Sequence, residues 1–194
     1  SPYVGTDIHG ATLGIIGLGA IGKAVAQRAL GFAMKVLYFS KTRKLESEKE
    51  LGLEWAGDIH TLLNKSDFIS VHVPYSKDTR HLIDTKEFHQ MKNSSFLINT
   101  SRGGTVNPTA LYNAVASGNI AGAALDVTEP EPIDPGDPLL TLPNVIITPH
   151  IASASSATFR RMGMMAARNI IECLNGEPMT SCVNPEAAKG LTNR

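Results

Sequence analysis

The run Gly17-Leu18-Gly19-Ala20-Ile21-Gly22 constrains the fold more than any other stretch of this chain. Three glycines at that spacing carry little weight alone, because glycines recur by chance. Here they follow a short apolar run over 12–16 and open a helix-like segment over 20–30, the strand–turn–helix setting that gives the pattern its meaning. In that setting Gly17 permits a tight turn, Gly19 lets backbone approach a pyrophosphate, and Gly22 lets helix and strand pack closely. The amino end of the helix then offers unpaired N–H groups and partial positive charge to phosphate oxygens. The expectation is a dinucleotide cradle; the alternative is a glycine-rich turn that holds nothing.

Strand and helix signals alternate beyond the cradle. Gly31 is placed to stop the first helix, and residues 35–39 read as a second strand. The charged stretch 41–50 reads as a loop leading into a surface helix, and Asp58 as the cap of a helix over 59–65. Residues 68–73 form a β-branched strand ended by Pro74; Asp84 with Glu87 makes a capping box before a helix over 85–91. After a strand over 96–99, Asn107-Pro108 opens a helix that runs to Ser117 and is ended by Gly118. Strands over 120–126 and 145–148 flank a proline-rich, acidic connection. Ser155 or Ser156 caps a long helix reaching Leu174, closed by Asn175-Gly176. Such alternation implies an α/β, doubly wound parallel sheet of the Rossmann type, with ligands at the carboxyl ends of its strands. The expected division is a linker over 1–10, a nucleotide-binding domain over 11–174, and a tail over 175–194 that makes a surface excursion.

Composition narrows the partners. Eighteen Lys and Arg balance 18 Asp and Glu, so no global field points to nucleic acid or to an acidic membrane surface. No apolar run approaches the length of a membrane span. Cys173 and Cys182 form no CxxC pair and have no histidine beside them, which suggests reduced thiols in a cytoplasmic protein and no metal site.

Where the second strand ends, an NAD-binding sheet normally carries an acid for the ribose 2′-hydroxyl. This chain has Phe39-Ser40-Lys41-Thr42-Arg43-Lys44 there, and its first acid is Glu46. With no carboxylate to repel it and with Lys41 and Arg43 to pair with it, a 2′-phosphate fits this loop. The expected cofactor is therefore NADP(H), with NAD(H) possible if the loop is merely basic and solvated.

Three further residues, Arg102, Glu131 and His150, supply a cation, an anion and a proton carrier, each placed after a predicted strand. Together they suggest hydride transfer to a small keto acid. Singly they read as a phosphate or helix-end contact, a solvated acid and a surface histidine. The segments that hold them are Asn99-Thr100-Ser101-Arg102-Gly103, Leu125-Asp126-Val127 with Glu129-Pro130-Glu131-Pro132, and Thr148-Pro149-His150-Ile151. With the cradle, and in this order, they resemble the D-isomer-specific 2-hydroxyacid dehydrogenase family from about His9 to Pro185. Within that family, Ser40-Lys41-Thr42-Arg43 and Gly176-Glu177-Pro178 are most similar to the glyoxylate/hydroxypyruvate reductase branch.

The resemblance implies that Arg102 grips the substrate carboxylate and polarises the ketone. His150 is implied as the general acid, with Glu131 fixing its tautomer and favouring its charged form. It also implies cofactor contacts at Ala20 and Ile21 with the pyrophosphate, at Pro74 and Thr79 beside the adenosine and phosphates, and at Thr100. Asp126 would hold the nicotinamide carboxamide, with Ala152 near the same ring where the family usually has glycine. His72 reads as a core or edge residue, and His81 fits the family pattern without a role that its chemistry suggests. Family members also carry a substrate-binding domain built mainly from sequence ahead of the cradle. With only Ser1 to Gly10 ahead of the cradle, that substrate domain is expected to be largely absent from this chain, which should bind NADP(H), turn over slowly or not at all by itself, and form a homodimer through its cofactor domain. Rival expectations are another D-2-hydroxyacid dehydrogenase, acting on phosphoglycerate, lactate or a broad range of 2-keto acids, or a non-catalytic NAD(H)-sensing module like the family's co-repressors. All of this rests on Arg102, Glu131 and His150 converging over a bound nicotinamide.

Overall fold

The structure is a computed structural model that describes residues 5–188. In chain order it contains β1 (Thr12–Ile16), α1 (Ala20–Leu30), β2 (Lys35–Phe39), α2 (Leu45–Leu51), β3 (Glu54–Trp55) and α3 (Ile59–Lys65). These are followed by β4 (Phe68–Val71), α4 (Thr85–Phe88), β5 (Phe96–Asn99), α5 (Pro108–Ala116), β6 (Gly122–Leu125), β7 (Val145–Ile147), α6 (Ser156–Leu174) and α7 (Pro185–Ala188). Single turns of 3₁₀-helix at Gly103–Thr105 and Pro138–Thr141 complete the set.

The strands make one seven-stranded sheet in the order β3-β2-β1-β4-β5-β6-β7, and every pairing is parallel. The chain winds outward from β1 to β3, returns to the other side of β1 at β4, and winds outward again to β7. That reversal between β1 and β4 is the switch point at which such sheets open a crevice. Alternation along β1 feeds both faces. Leu13 and Ile15 join Ala26 and Ala29 of α1 and Val36 and Tyr38 of β2 in one buried cluster. Ile16 joins Leu62 and Leu63 of α3, Ile69, Val71, Leu97 and Leu111 in the other. Burial on both faces is why the strands read as apolar runs and not as alternating patterns.

Several local signals act as their chemistry requires. Asp58 accepts from Thr61 N, Asp84 and Glu87 complete the capping box, Asn107 accepts from Thr109 N and Ala110 N, and Ser155 accepts from Thr158 N. Others shift. Gly31 does cap α1 directly after Leu30, but it stays right-handed at φ −64°; i→i−3 bonds from Gly31, Phe32 and Ala33 tighten the end, and it is Ala33 that turns left-handed at φ 56°. The strand expected over 68–73 ends at Val71, the helix expected over 85–91 ends at Phe88, and the strand expected over 120–126 covers only Gly122–Leu125.

Two compact units are present, one ending at His150 and the other beginning at Ile151. The second unit holds α6 and α7, and α6 contributes no buried side chain.

Register places the site. Ile16 pairs with both Phe39 and Val71, Val71 with Asn99, Asn99 with Leu125, and Leu125 with Ile147. Five strands and their central neighbour therefore end level. The first residues past that rim are Gly17, Ser40, His72, Thr100, Asp126 and Thr148. Main-chain bonds extend the alignment one step further: Gly17 N to Phe39 O, His72 N to Ile16 O, Asp126 N to Asn99 O, and Thr148 N to Leu125 O.

Candidate functional site

At the switch point the backbone is shaped for a phosphate group. Gly17 is left-handed at φ 96°, and a Cβ there would lie 2.9 Å from the His72 carbonyl. A Cβ on Gly22 would lie 2.3 Å from Gly17 O, so strand and helix meet at a distance only glycine allows. Gly19, between them, has nothing within 4 Å of its Cβ position. The amino end of α1 has no side-chain cap and no acid in its first turn. A tight turn, open space over the middle glycine and free amide donors fit a dinucleotide pyrophosphate, with Ala20 and Ile21 in the first helical turn.

Beside the cradle lies a cavity of about 360 Å³ lined by Gly17, Gly19, Ser40, Lys41, Pro74 and Thr79, among others. Ser40 Oγ accepts from Leu18 N at 2.7 Å, which ties the β2 loop to the cradle. Thr79 Oγ1 donates to Pro74 O at 2.6 Å and accepts from Ser76 N, which folds 74–79 into the opposite wall. Lys41 Nζ reaches across to Asp78 Oδ2 at 2.6 Å. Arg43 turns away from the cavity. Its Nε and Nη2 donate to the two oxygens of Glu48 at 2.9 and 2.8 Å, and its guanidinium lies 5.0 Å from the Trp55 ring centroid. The hydroxyl of buried Tyr38 donates to the same carboxylate and accepts from Lys44 N. The Arg43 guanidinium first, and then the Tyr38 hydroxyl, hold the Glu48 carboxyl down to about 2. Arg43 thus stiffens the loop, while Ser40 and Lys41 face the cavity.

Toward β5 a second cavity, of about 620 Å³, is lined by Ile21, His72, Pro74, Tyr75, Thr100 and Arg102, among others. Arg102 follows a loop anchored by buried Asn99, whose Oδ1 accepts from Ser101 N and Oγ, and whose Nδ2 donates to Arg102 O. Thr105 Oγ1 donates to that same carbonyl at 2.7 Å. The exposed guanidinium donates through Nη1 to Ser101 O. Burial depresses the His72 imidazole below its usual range, so it sits neutral in this wall, with Nε2 2.8 Å from Ser70 Oγ.

Glu131 and His150 meet in a third cavity, of about 480 Å³, whose lining includes Asp126, Ile133, Leu140 and Thr148. His150 Nδ1 and Glu131 Oε1 are 2.5 Å apart, and both side chains are half-exposed. His150 is left-handed at φ 55°, a backbone state that costs a non-glycine residue roughly 1–2 kcal/mol. Its N–H is held by Asp126 O at 2.9 Å. The carboxylate of buried Asp126 in turn accepts from Thr148 Oγ1. Glu131 and His150 are therefore brought together. Arg102 follows β5, two strands from β7, and lines a different cavity from theirs. Ala152 lies in the second unit, in the turn ahead of α6.

One pairing had no signal in the sequence. His81 Nε2 lies 3.1 Å from Glu129 Oε2, and His81, left-handed at φ 49°, donates its N–H to Gly104 O. Glu129 and Glu131 thus serve different histidines. The duplicated acid in Glu129-Pro130-Glu131-Pro132 was visible; its partner, 48 residues earlier, was not. Among the described residues no three His, Cys, Asp or Glu side chains gather as a metal site, and no helix is long and apolar enough to cross a membrane.

Residues 1–152 match the family model described as D-isomer specific 2-hydroxyacid dehydrogenase, NAD binding domain. The chain is 50% identical over 186 residues to a glyoxylate reductase of Korarchaeum cryptofilum, covering 96% of this chain and 56% of that protein. It is 44% identical over 188 residues to a glyoxylate/hydroxypyruvate reductase B of Cronobacter sakazakii, covering 96% and 58%. A crystal structure of D-lactate dehydrogenase with NAD+ from Lactobacillus jensenii matches with a TM-score of 0.86 at 36% identity, covering 94% of this chain and 58% of that one. The chain spans a little more than half the length of the relatives it matches.

Proposed function

Because this chain belongs to the family of D-isomer specific 2-hydroxyacid dehydrogenases, we propose that it is the cofactor-binding part of an oxidoreductase acting on small 2-keto and 2-hydroxy acids. Glyoxylate and hydroxypyruvate are the proposed substrates, on the strength of the relatives named for them. NADP(H) is the proposed cofactor, because the β2 loop presents Lys41 to its cavity and no acid. The single observation that carries the reading is the His150–Glu131 bond at the carboxyl rim of the sheet.

When bound, the nicotinamide supplies or accepts the hydride. Gly17, Gly19, Ala20, Ile21 and Gly22 would hold the pyrophosphate, Ser40 and Lys41 the ribose phosphate, Pro74 and Thr79 would lie beside the adenosine and phosphates, and Thr100 would add a further contact. Asp126 orients the carboxamide. Arg102 presents a planar fork matched to the substrate carboxylate and draws electron density from the adjoining ketone. Because Nδ1 of His150 faces Glu131, Nε2 carries the proton given to the ketone oxygen. Glu131 holds Nδ1 and so fixes which ring nitrogen faces the substrate. In the oxidative direction His150 takes the proton back. Exposed Phe159, Met162, Ile170 and Leu174 on α6 favour a homodimer, and the free thiols Cys173 and Cys182 suit a cytoplasmic setting.

The test is a panel of glyoxylate, hydroxypyruvate, pyruvate and phosphohydroxypyruvate with NADPH and NADH, followed by loss of nicotinamide absorbance. When the panel is applied to the complete polypeptide that carries this segment, reduction of glyoxylate and hydroxypyruvate with NADPH is expected, and His150→Gln should lower it at least roughly tenfold. Ligand-dependent assembly without consumption of any acid by that polypeptide would instead support a non-catalytic binding module. Preferred turnover of pyruvate would move the substrate toward lactate.

A further inference from the structure

The 2′-phosphate reading assigns two cations to the β2 loop, yet only one of them faces the cavity. Arg43 is committed to Glu48 and Trp55, so Lys41 is the cation of this pair available to a ribose phosphate. Lys41 is itself engaged. Its ammonium pairs at 2.6 Å with Asp78, which lies on the opposing wall between Ser76 and Thr79, both lining residues. Lys41 and Asp78 are 78% and 68% exposed, so the pair bridges the two walls at the solvent-facing rim.

We propose that Asp78 sets cofactor preference by competing with the ribose 2′-phosphate of NADPH for the Lys41 ammonium. The proposal rests on the NADP(H) reading above and adds a residue that reading lacks. A bound 2′-phosphate is a dianion with three acceptor oxygens, and one ammonium cannot serve both it and a carboxylate without bringing like charges together. NADPH binding therefore exchanges Lys41–Asp78 for Lys41–phosphate, and the affinity measured is the difference between them. NADH offers Lys41 no replacement partner and leaves the bridge intact. The Lys41 ammonium holds the Asp78 carboxyl below its usual range, as expected for a carboxylate that has a partner to lose.

Dissociation constants for NADPH and NADH, measured by calorimetry on the unmodified chain and on Asp78→Asn, Lys41→Met and the double variant, test this without any turnover. An exposed ion pair contributes at most about fivefold. Asp78→Asn is therefore expected to tighten NADPH about three- to fivefold and to leave NADH unchanged. Lys41→Met should weaken NADPH by a smaller factor than it does in the Asp78→Asn background, and adding Asp78→Asn to it should give no further gain. An unchanged NADPH constant in Asp78→Asn overturns the proposal. So does a gain that persists without Lys41, which is plain repulsion, or a weakened NADH constant, which makes Asp78 a ribose ligand. If Lys41→Met leaves NADPH binding unaltered even in the Asp78→Asn background, the NADP(H) reading built on Lys41 fails; if only the Asp78 arm fails, that reading stands.

Discussion

Glu48 shows how much of this site depends on residues that would never touch a ligand. Its carboxylate collects Arg43 and the buried Tyr38 hydroxyl, and through them it holds the loop carrying Ser40 and Lys41. The folded-state value near 2 lies below the ordinary 4.5, so the contribution of Glu48 to stability is complete above pH 4.5 and is lost as pH falls toward 2. Glu48→Gln should therefore melt below the unmodified chain at pH 6, with the gap closing by pH 2. Thermal melts at the two pH values check this, and a constant gap would mean that the Glu48 charge is not what matters. The sequence showed Arg43 and Lys41 as equivalent cations two positions apart. It could not show that one would be taken by Glu48, because that depends on the side on which α2 returns to β2.

At the scale of elements, the features that could be read in advance are those whose chemistry is local. Asp58, Asp84 with Glu87, Asn107 and Ser155 each cap the helix they were expected to cap, since a cap needs only the next few backbone amides. β3 was missed because two residues carry no period, and its existence rests on pairing with Leu37 and Tyr38. Asn107 also reaches beyond its own helix, donating through Nδ2 to both oxygens of Asp84. Asn107→Ala removes a cap and should cost about 1 kcal/mol. Asn107→Asp keeps the acceptor for α5 but sets a carboxylate against Asp84. It should be destabilising at pH 7 and recover toward pH 3, as denaturant midpoints at the two pH values will show. Equal midpoints for Asn107→Asp and the unmodified chain at pH 7 would remove the claim.

For the molecule as a whole, the doubly wound sheet was legible because strands and helices alternate, and the cradle because its setting is contiguous in sequence. The site beyond it was legible only as residues at strand ends. The His81–Glu129 and Lys41–Asp78 pairs join segments 48 and 37 residues apart, so they needed coordinates. Placing Arg102 together with His150 also went beyond sequence, and the two line separate cavities. A ligand that binds only the folded chain stabilises it by mass action, by about 2.7 kcal/mol at a hundredfold excess over its dissociation constant. NADPH should therefore raise the melting temperature by several degrees, and by more than NADH at equal concentration. Identical shifts for both would count against any selectivity in the β2 loop.

The level carboxyl rim makes the two ends of the sheet unequal in what they tolerate. Adding one residue inside a strand displaces everything after it by about 3.3 Å and turns each following side chain to the other face. At β5 or β6 that would carry Thr100 or Asp126 out of line with its neighbours. The same addition in the turn at Gly118 is absorbed before the strand begins. Length variation among proteins built this way should therefore collect at the amino ends of the strands, while the loops that start at the rim change in composition and hold their phase.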